Sequence, residues 1–184
     1  MNRFSAITAL CLALAGPAYA QSLGEKTGVN ALLGVTPKTE DFVKEAASSD
    51  MFEMQSSQLA LQRATNDRTK TFAQQMITDH TKTSTEMKGM VQAGTVKAEI
   101  PSAMLPTHQK MLDKLAGLNG ADFTRQYLDD QVTAHKDVLS LFQRYSKGGD
   151  NEKLKTWASS TLPALEHHHQ MAQDLDKQND AKRS

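Results

Sequence analysis

Among 184 residues there is one cysteine, Cys11, and it falls inside an apolar N-terminal run. If that run is removed on export, the mature chain carries no thiol, which excludes disulfides, thiolate nucleophiles and thiolate metal sites. Cys11 also lacks the surroundings of a lipid-anchored cysteine, since Leu10 stands directly before it where a small residue is needed. Aromatic residues make up only 5% of the chain, so a core must come largely from Ala, Leu and the nine methionines, a mixture suited to close helix packing. Neither sign of charge dominates, with 21 basic and 21 acidic residues, and no basic stripe is interleaved with aromatics. Nucleic acid is therefore not an expected partner. After the N-terminal run, no apolar stretch approaches membrane-spanning length.

The first twenty residues have a short positive start at Asn2-Arg3, an apolar run from Ala6 to Ala15, and Ala18-Tyr19-Ala20 at the end. This order predicts a secretory signal peptide cut before Gln21. The mature protein is then expected in the periplasm or outside the cell, with outer-membrane association open. Residues 21–36 read as a flexible leader, residues 37–177 as one domain and residues 178–184 as a polar tail.

Four of the chain's five prolines and six of its ten glycines fall within 37–177, and most of them act as punctuation. Thr36-Pro37 predicts a helix start, with Thr36 as cap, and the helix continues to about Ala64. Thr65-Asn66-Asp67 offers a turn and a cap for a second helix ending at Gly94. A link closed by Pro101 leads to a short helix over about 102–115. A third long helix covers about 121–145, and Gly148-Gly149-Asp150 turns into a fourth, about 151–177, with Asp150 as cap and Pro163 inside it. The fold class expected is all-α: a four-helix bundle of the ferritin-like kind, with an extra helix in a long crossover link between the second and third helices.

Periodicity then singles out a few polar residues. Neighbours on a helix point about 100° apart, so only one residue of His167-His168-His169 can face a core, and it is His168, in register with Leu154, Thr161 and Ala172. On the second helix His80 shares a seam with Ala73, Met76, Ser84 and Met87, with Asp79 at its edge. On the third, His135 aligns with Leu128, Leu139 and Phe142, while Asp129 and Asp130 fall on other faces. On the first, Glu53 aligns with Phe42, Ala46, Ala60 and Ala64. His108 sits on an apolar seam of the short link helix and reads as packing. The methionines form no tight Met-x-x-Met cluster and read as core filler.

Glu53, His80, His135 and His168 all fall near mid-helix, so a bundle brings them to one level. Buried ionisable groups are costly unless paired or coordinated. Three imidazoles and a carboxylate can hold one transition metal ion, zinc, copper, iron or manganese, with Asp79 as a fifth ligand or as an acceptor behind a ring N–H. The same set could instead form a metal-free hydrogen-bonded cluster that only specifies the bundle. No acid–base constellation marks a reaction, so a binding protein is expected rather than an enzyme.

Four stretches carry a family resemblance: F-V-x-x-A-A-x-x-x-M-x-E (Phe42 to Glu53), F-A-x-x-M-I-x-D-H-T (Phe72 to Thr81), F-x-x-x-Y with H-K-D-V-x-x-L-F (Phe123 to Phe142), and L-P-x-L-x-x-H (Leu162 to His168). They resemble a bacterial family of exported proteins, labelled outer-membrane or periplasmic, with a ferritin-like domain of unknown function. The resemblance implies a ferritin-like bundle with Glu53, Asp79, His80, His135 and His168 at recurrent polar positions, and it implies no reaction. Di-iron ferritins place Glu-x-x-His on two helices. Here the one such pair, Glu166 with His169, points off the seam, which disfavours a di-iron centre.

Overall fold

A computed structural model describes residues 33–181, and among them there are five helices and no strand. The expected signal peptide and most of the leader lie outside the described residues. Helix α1 is Thr39–Arg63, α2 Asp67–Gln92, α3 Pro106–Ala116, α4 Gly120–Gly148 and α5 Glu152–Ala181.

The helix starts differ in detail from the sequence expectation. Lys38, not Thr36, is the cap residue of α1, and no side chain caps that end. Glu40 and Asp41 in the first turn complement its dipole instead. Asn66 caps α2 as expected, its Oδ1 accepting from the Thr69 amide at 2.8 Å, and Gly94 takes a left-handed conformation, φ 70°, just past the helix. Pro106 opens α3 in its first turn. Asn151 rather than Asp150 caps α5, accepting from Leu154 N at 2.9 Å. Asp150 is drawn away because its Oδ1 accepts the Thr39 hydroxyl at 2.5 Å, which ties the α4–α5 turn to the start of α1. Gly149 is required in that turn, since a Cβ there would lie 2.5 Å from the Tyr145 ring. Helix α5 passes through Pro163 and runs on to Ala181, beyond the end expected near Lys177.

Around the bundle, α1 packs on α2 and α4, and α5 packs on α4 and α2. Directions follow from cross-helix contacts. Thr39 meets Tyr145, and Ser57 Oγ lies 2.8 Å from the Tyr127 hydroxyl, so α1 and α4 are antiparallel. Asp50 meets Ser84 while Met54 meets Thr81, so α1 and α2 are antiparallel too. Trp157 reaches Glu86, and Arg68 reaches Gln178, which sets α5 against α2 in the same sense. Helices α2 and α4 therefore run in one direction, and the segment between them must travel the length of the bundle. It lies along α1: Ser48 Oγ accepts from Leu105 N at 2.8 Å near the middle, and Arg63 Nη1 donates to Ala116 O at 2.7 Å at the far end. The long link is a crossover, as its length suggested.

Two apolar clusters fill the bundle. One gathers Phe42, Val43, Met87, Val138, Phe142, Tyr145 and Leu154. The other gathers Phe52, Phe72, Met76, Leu115, Phe123, Tyr127 and Ala172. Asp50, His80, His135 and His168 fall in the gap between them on their four helices, and Glu53 just beyond.

Candidate metal centre

His80, His135 and His168 come from α2, α4 and α5, and all are buried. Their rings form a near-equilateral triangle, with centroids 5.7 Å apart for His80–His135, 5.6 Å for His80–His168 and 5.5 Å for His135–His168. One ring nitrogen from each lies within 4.8 Å of the other two.

Each ring is held from behind. His80 Nδ1 lies 2.8 Å from Asp50 Oδ1, and Asp50 Oδ2 accepts from Thr83 and Ser84 hydroxyls at 3.0 Å each. His135 Nδ1 donates to the Gln131 carbonyl at 2.9 Å, closing one helical turn. His168 Nε2 lies 2.8 Å from Asp79 Oδ2. A carbonyl or carboxylate only accepts, so these bonds place the proton on the outer nitrogen of each neutral ring. The opposite nitrogens, His80 Nε2, His135 Nε2 and His168 Nδ1, are buried and without a partner. Imidazoles that ligate a metal have this form: an N–H anchored behind, a lone pair free in front.

Electrostatics separates the three. Burial pushes the His168 pKa down to about 4, helped by His80, and pushes His135 well below the ordinary histidine value, again with help from His80. Burial acts in the same direction on His80 and is the largest influence there, but the hydrogen bond and charge of Asp50, with Glu53 and Asp79, outweigh it and leave its pKa raised. Two rings are thus neutral donors, and His80, paired with Asp50, is the ring of the three on which a proton is most favoured.

Of the residues expected at the site, the three histidines come together and the two carboxylates stand differently. Glu53 is 1% exposed and neither of its oxygens makes a hydrogen bond. Its Oε1 is 3.7 Å from His135 Nδ1, on the side of the ring already bound to the backbone, rather than among the free nitrogens. Burial pushes its pKa up to about 7, against the lowering effects of His80 and of the nearby Gln131 side chain, whose amide is not in hydrogen-bonding geometry with either oxygen. Asp79 is behind His168 and not in front of it. His167 is exposed and His169 only partly buried, in keeping with the register argument.

Two carboxylates escaped the sequence reading. Asp50 is buried and holds His80; its signal was present, since it follows Val43 by seven residues and Ala46 by four and precedes Glu53 by three. Asp130, expected to lie off the core, is 7% exposed, with Oδ1 accepting from Gln126 at 2.8 Å. Burial pushes its pKa up to about 6, opposed by Gln126 and by Lys114 of α3. A wheel of four helices takes no account of α3, which packs against α4. His108, the expected packing histidine, bonds Ser48 Oγ through Nδ1 at 2.7 Å and stacks on Phe52 at 5.8 Å.

Residues 24–175 match the family described as a domain of unknown function (DUF4142). The chain belongs to this family. No match to a curated protein is found. Among solved structures the chain is similar to "CopM in the Cu(II)-bound form", with a TM-score of 0.65 and 17% identity over 78% of this chain and 98% of that one. At that identity the likeness carries the fold, and this member of the DUF4142 family shares the helical architecture of that protein. No helix among the described residues is long and apolar enough to cross a membrane.

Proposed function

We propose that this DUF4142 chain is an exported metal-binding bundle, holding one transition metal ion through His80 Nε2, His135 Nε2 and His168 Nδ1, and acting in metal handling or stress protection in the cell envelope. The observation that carries the reading is three buried histidines that each bring a ring nitrogen within 4.8 Å of the others. Each also has one buried nitrogen left unpartnered, on a ring anchored from behind. An apolar core gains nothing from three such lone pairs, whereas a cation satisfies all three at once. Imidazole donors suit zinc, copper, iron and nickel. The bundle of similar fold was solved with Cu(II), which makes copper the first ion to test. Glu53 is buried 3.7 Å from His135 Nδ1, behind that ring, and becomes a fourth donor only if its side chain turns toward the three nitrogens. Asp50 and Asp79 fix the rings that they hold.

Tag-free protein, analysed for bound metal and titrated calorimetrically with Cu(II) and Zn(II), tests this. Tight one-to-one binding is expected, with at least about a hundredfold loss in His80→Ala or His168→Ala. Absence of any bound transition metal, or unchanged affinity in both variants, sinks the reading.

One observation favours a second reading, in which the cluster only specifies the bundle. Asp50 is already satisfied by His80, Thr83 and Ser84 without any cation. In that case a chelator leaves the melting temperature unchanged, and Glu53→Gln is mildly destabilising at most.

A further inference from the structure

The groups behind the three histidines differ in their access to water. Asp50, behind His80, has a side chain 10% exposed and is closed over by the Thr83 and Ser84 hydroxyls. The carbonyl behind His135 belongs to Gln131, which is fully buried. Asp79, behind His168, has a side chain 36% exposed, while that of His168 is only 3% exposed. Both contacts of Asp79, with His168 and with the Gln75 amide at 3.4 Å, use Oδ2, which leaves Oδ1 without a protein partner among the described residues.

Along the bundle the cluster is flanked by ring packing, Phe42 with Phe142 and Tyr145 on one side, and Phe72 and Phe123 with Tyr127 on the other. The crossover helix α3 lies along α1 and against α4. The groove between α2 and α5 has no such cover among the described residues, and the residue bridging it at the level of the cluster is the Asp79–His168 pair.

Resting on the metal-binding reading, we propose that Asp79 is the docking residue through which a hydrated divalent cation reaches the cluster, passing between α2 and α5 by way of His168. A half-open carboxylate at the mouth of a low-dielectric site raises the local cation concentration and offers an oxygen in exchange for a bound water. The cation then competes with the His168 N–H for the same carboxylate, and this loosens the one ligand ring that lies at this face. Asp50 and the Gln131 carbonyl, sealed from water, keep the other two rings fixed meanwhile. Asp79 thus governs how fast the site fills, and Asp50 how well it holds.

The test uses the full tag-free chain and Co2+, whose visible absorption reports binding in a stopped-flow instrument at low and high ionic strength. Wild type is compared with Asp79→Asn and Asp79→Glu; helical circular dichroism confirms folding, which a side chain this exposed does not control. Asp79→Asn is expected to slow association about tenfold at low salt and to flatten its salt dependence. Dissociation should slow in parallel, keeping Kd within about threefold, and Asp79→Glu should restore the rate. Unchanged association in Asp79→Asn overturns the proposal. Faster dissociation at an unchanged association rate overturns it too, and makes Asp79 only a positioning residue for His168. Failure of wild type to bind Co2+, Cu2+ or Zn2+ removes the site reading itself, and is seen before any variant is made.

Discussion

Phe42, Phe142 and Tyr145 meet ring to ring near one end of the bundle, with centroids 4.1 and 4.9 Å from Phe42, and Phe72, Phe123 and Tyr127 meet near the other at 6.0 and 6.3 Å. Between them, His80, His135 and His168 also meet ring to ring, at 5.5 to 5.7 Å. The three groups look alike as packing and differ as chemistry. The aromatic clusters are satisfied by contact alone, because dispersion and burial need no partner of a given kind. The histidine cluster is satisfied only from behind, through Asp50, Gln131 and Asp79, and is left with three unpartnered ring nitrogens in front. Stability therefore belongs mainly to the ends, and recognition of a ligand to the middle.

The sharpest way to break that division is to damage an end and ask whether the middle notices. Phe42→Ala, at a fully buried position, is expected to destabilise the protein by about 3–5 kcal/mol in urea unfolding. The folded fraction should keep wild-type metal affinity; a loss there would show that the cluster depends on packing at the end.

His108 separates burial from clustering, since it is a histidine set against Phe52 and away from the triangle. Burial pushes its pKa from 6.5 down to about 4, so at acid pH the unfolded chain binds a proton that the folded chain refuses. Its contribution to stability is complete above pH 6.5 and is lost as pH falls towards 4, at up to about 1.4 kcal/mol per pH unit. The gap in unfolding free energy between wild type and His108→Phe should shift against wild type through that window, by about 3 kcal/mol in all. A gap that stays constant from pH 7 to pH 4 would show that His108 is protonated in the folded state.

The smallest effect belongs to a surface cap. Asn66→Ala removes the bond to Thr69 N and should lower stability by about 1 kcal/mol, with no change in metal affinity. A change in affinity would mean that the start of α2 is coupled to His80, and would blur the line between frame and site.

Much of the frame was legible in the chain itself. Helical period is a local property, so the alignment of His80 with Met76 and Met87, or of His168 with Leu154 and Ala172, could be read without knowing any neighbour. Asn66 and Gly94 marked the ends of α2 because capping is also local. Less local signals misled: Thr36-Pro37 resembles a helix start, yet α1 begins at Thr39, where the Tyr145 and Asp150 contacts of a distant segment fix it. Asp130 falls on another face of the wheel, yet it is buried and feels the charge of Lys114 from α3, a helix outside the four that define the wheel.

The sequence by itself determined that there are four long helices, that the middle link is long enough for a crossover, and that one histidine on each of three helices points inward. The tertiary structure decided what the wheel cannot express, namely which ring nitrogen faces which partner. Direction from a helix axis follows from residue spacing, but the atom presented follows from a side-chain torsion and from the acceptor that holds it. That is why Asp50, Gln131 and Asp79 leave each of three inward histidines with one unpartnered nitrogen, and why Glu53, buried as expected, stands behind His135.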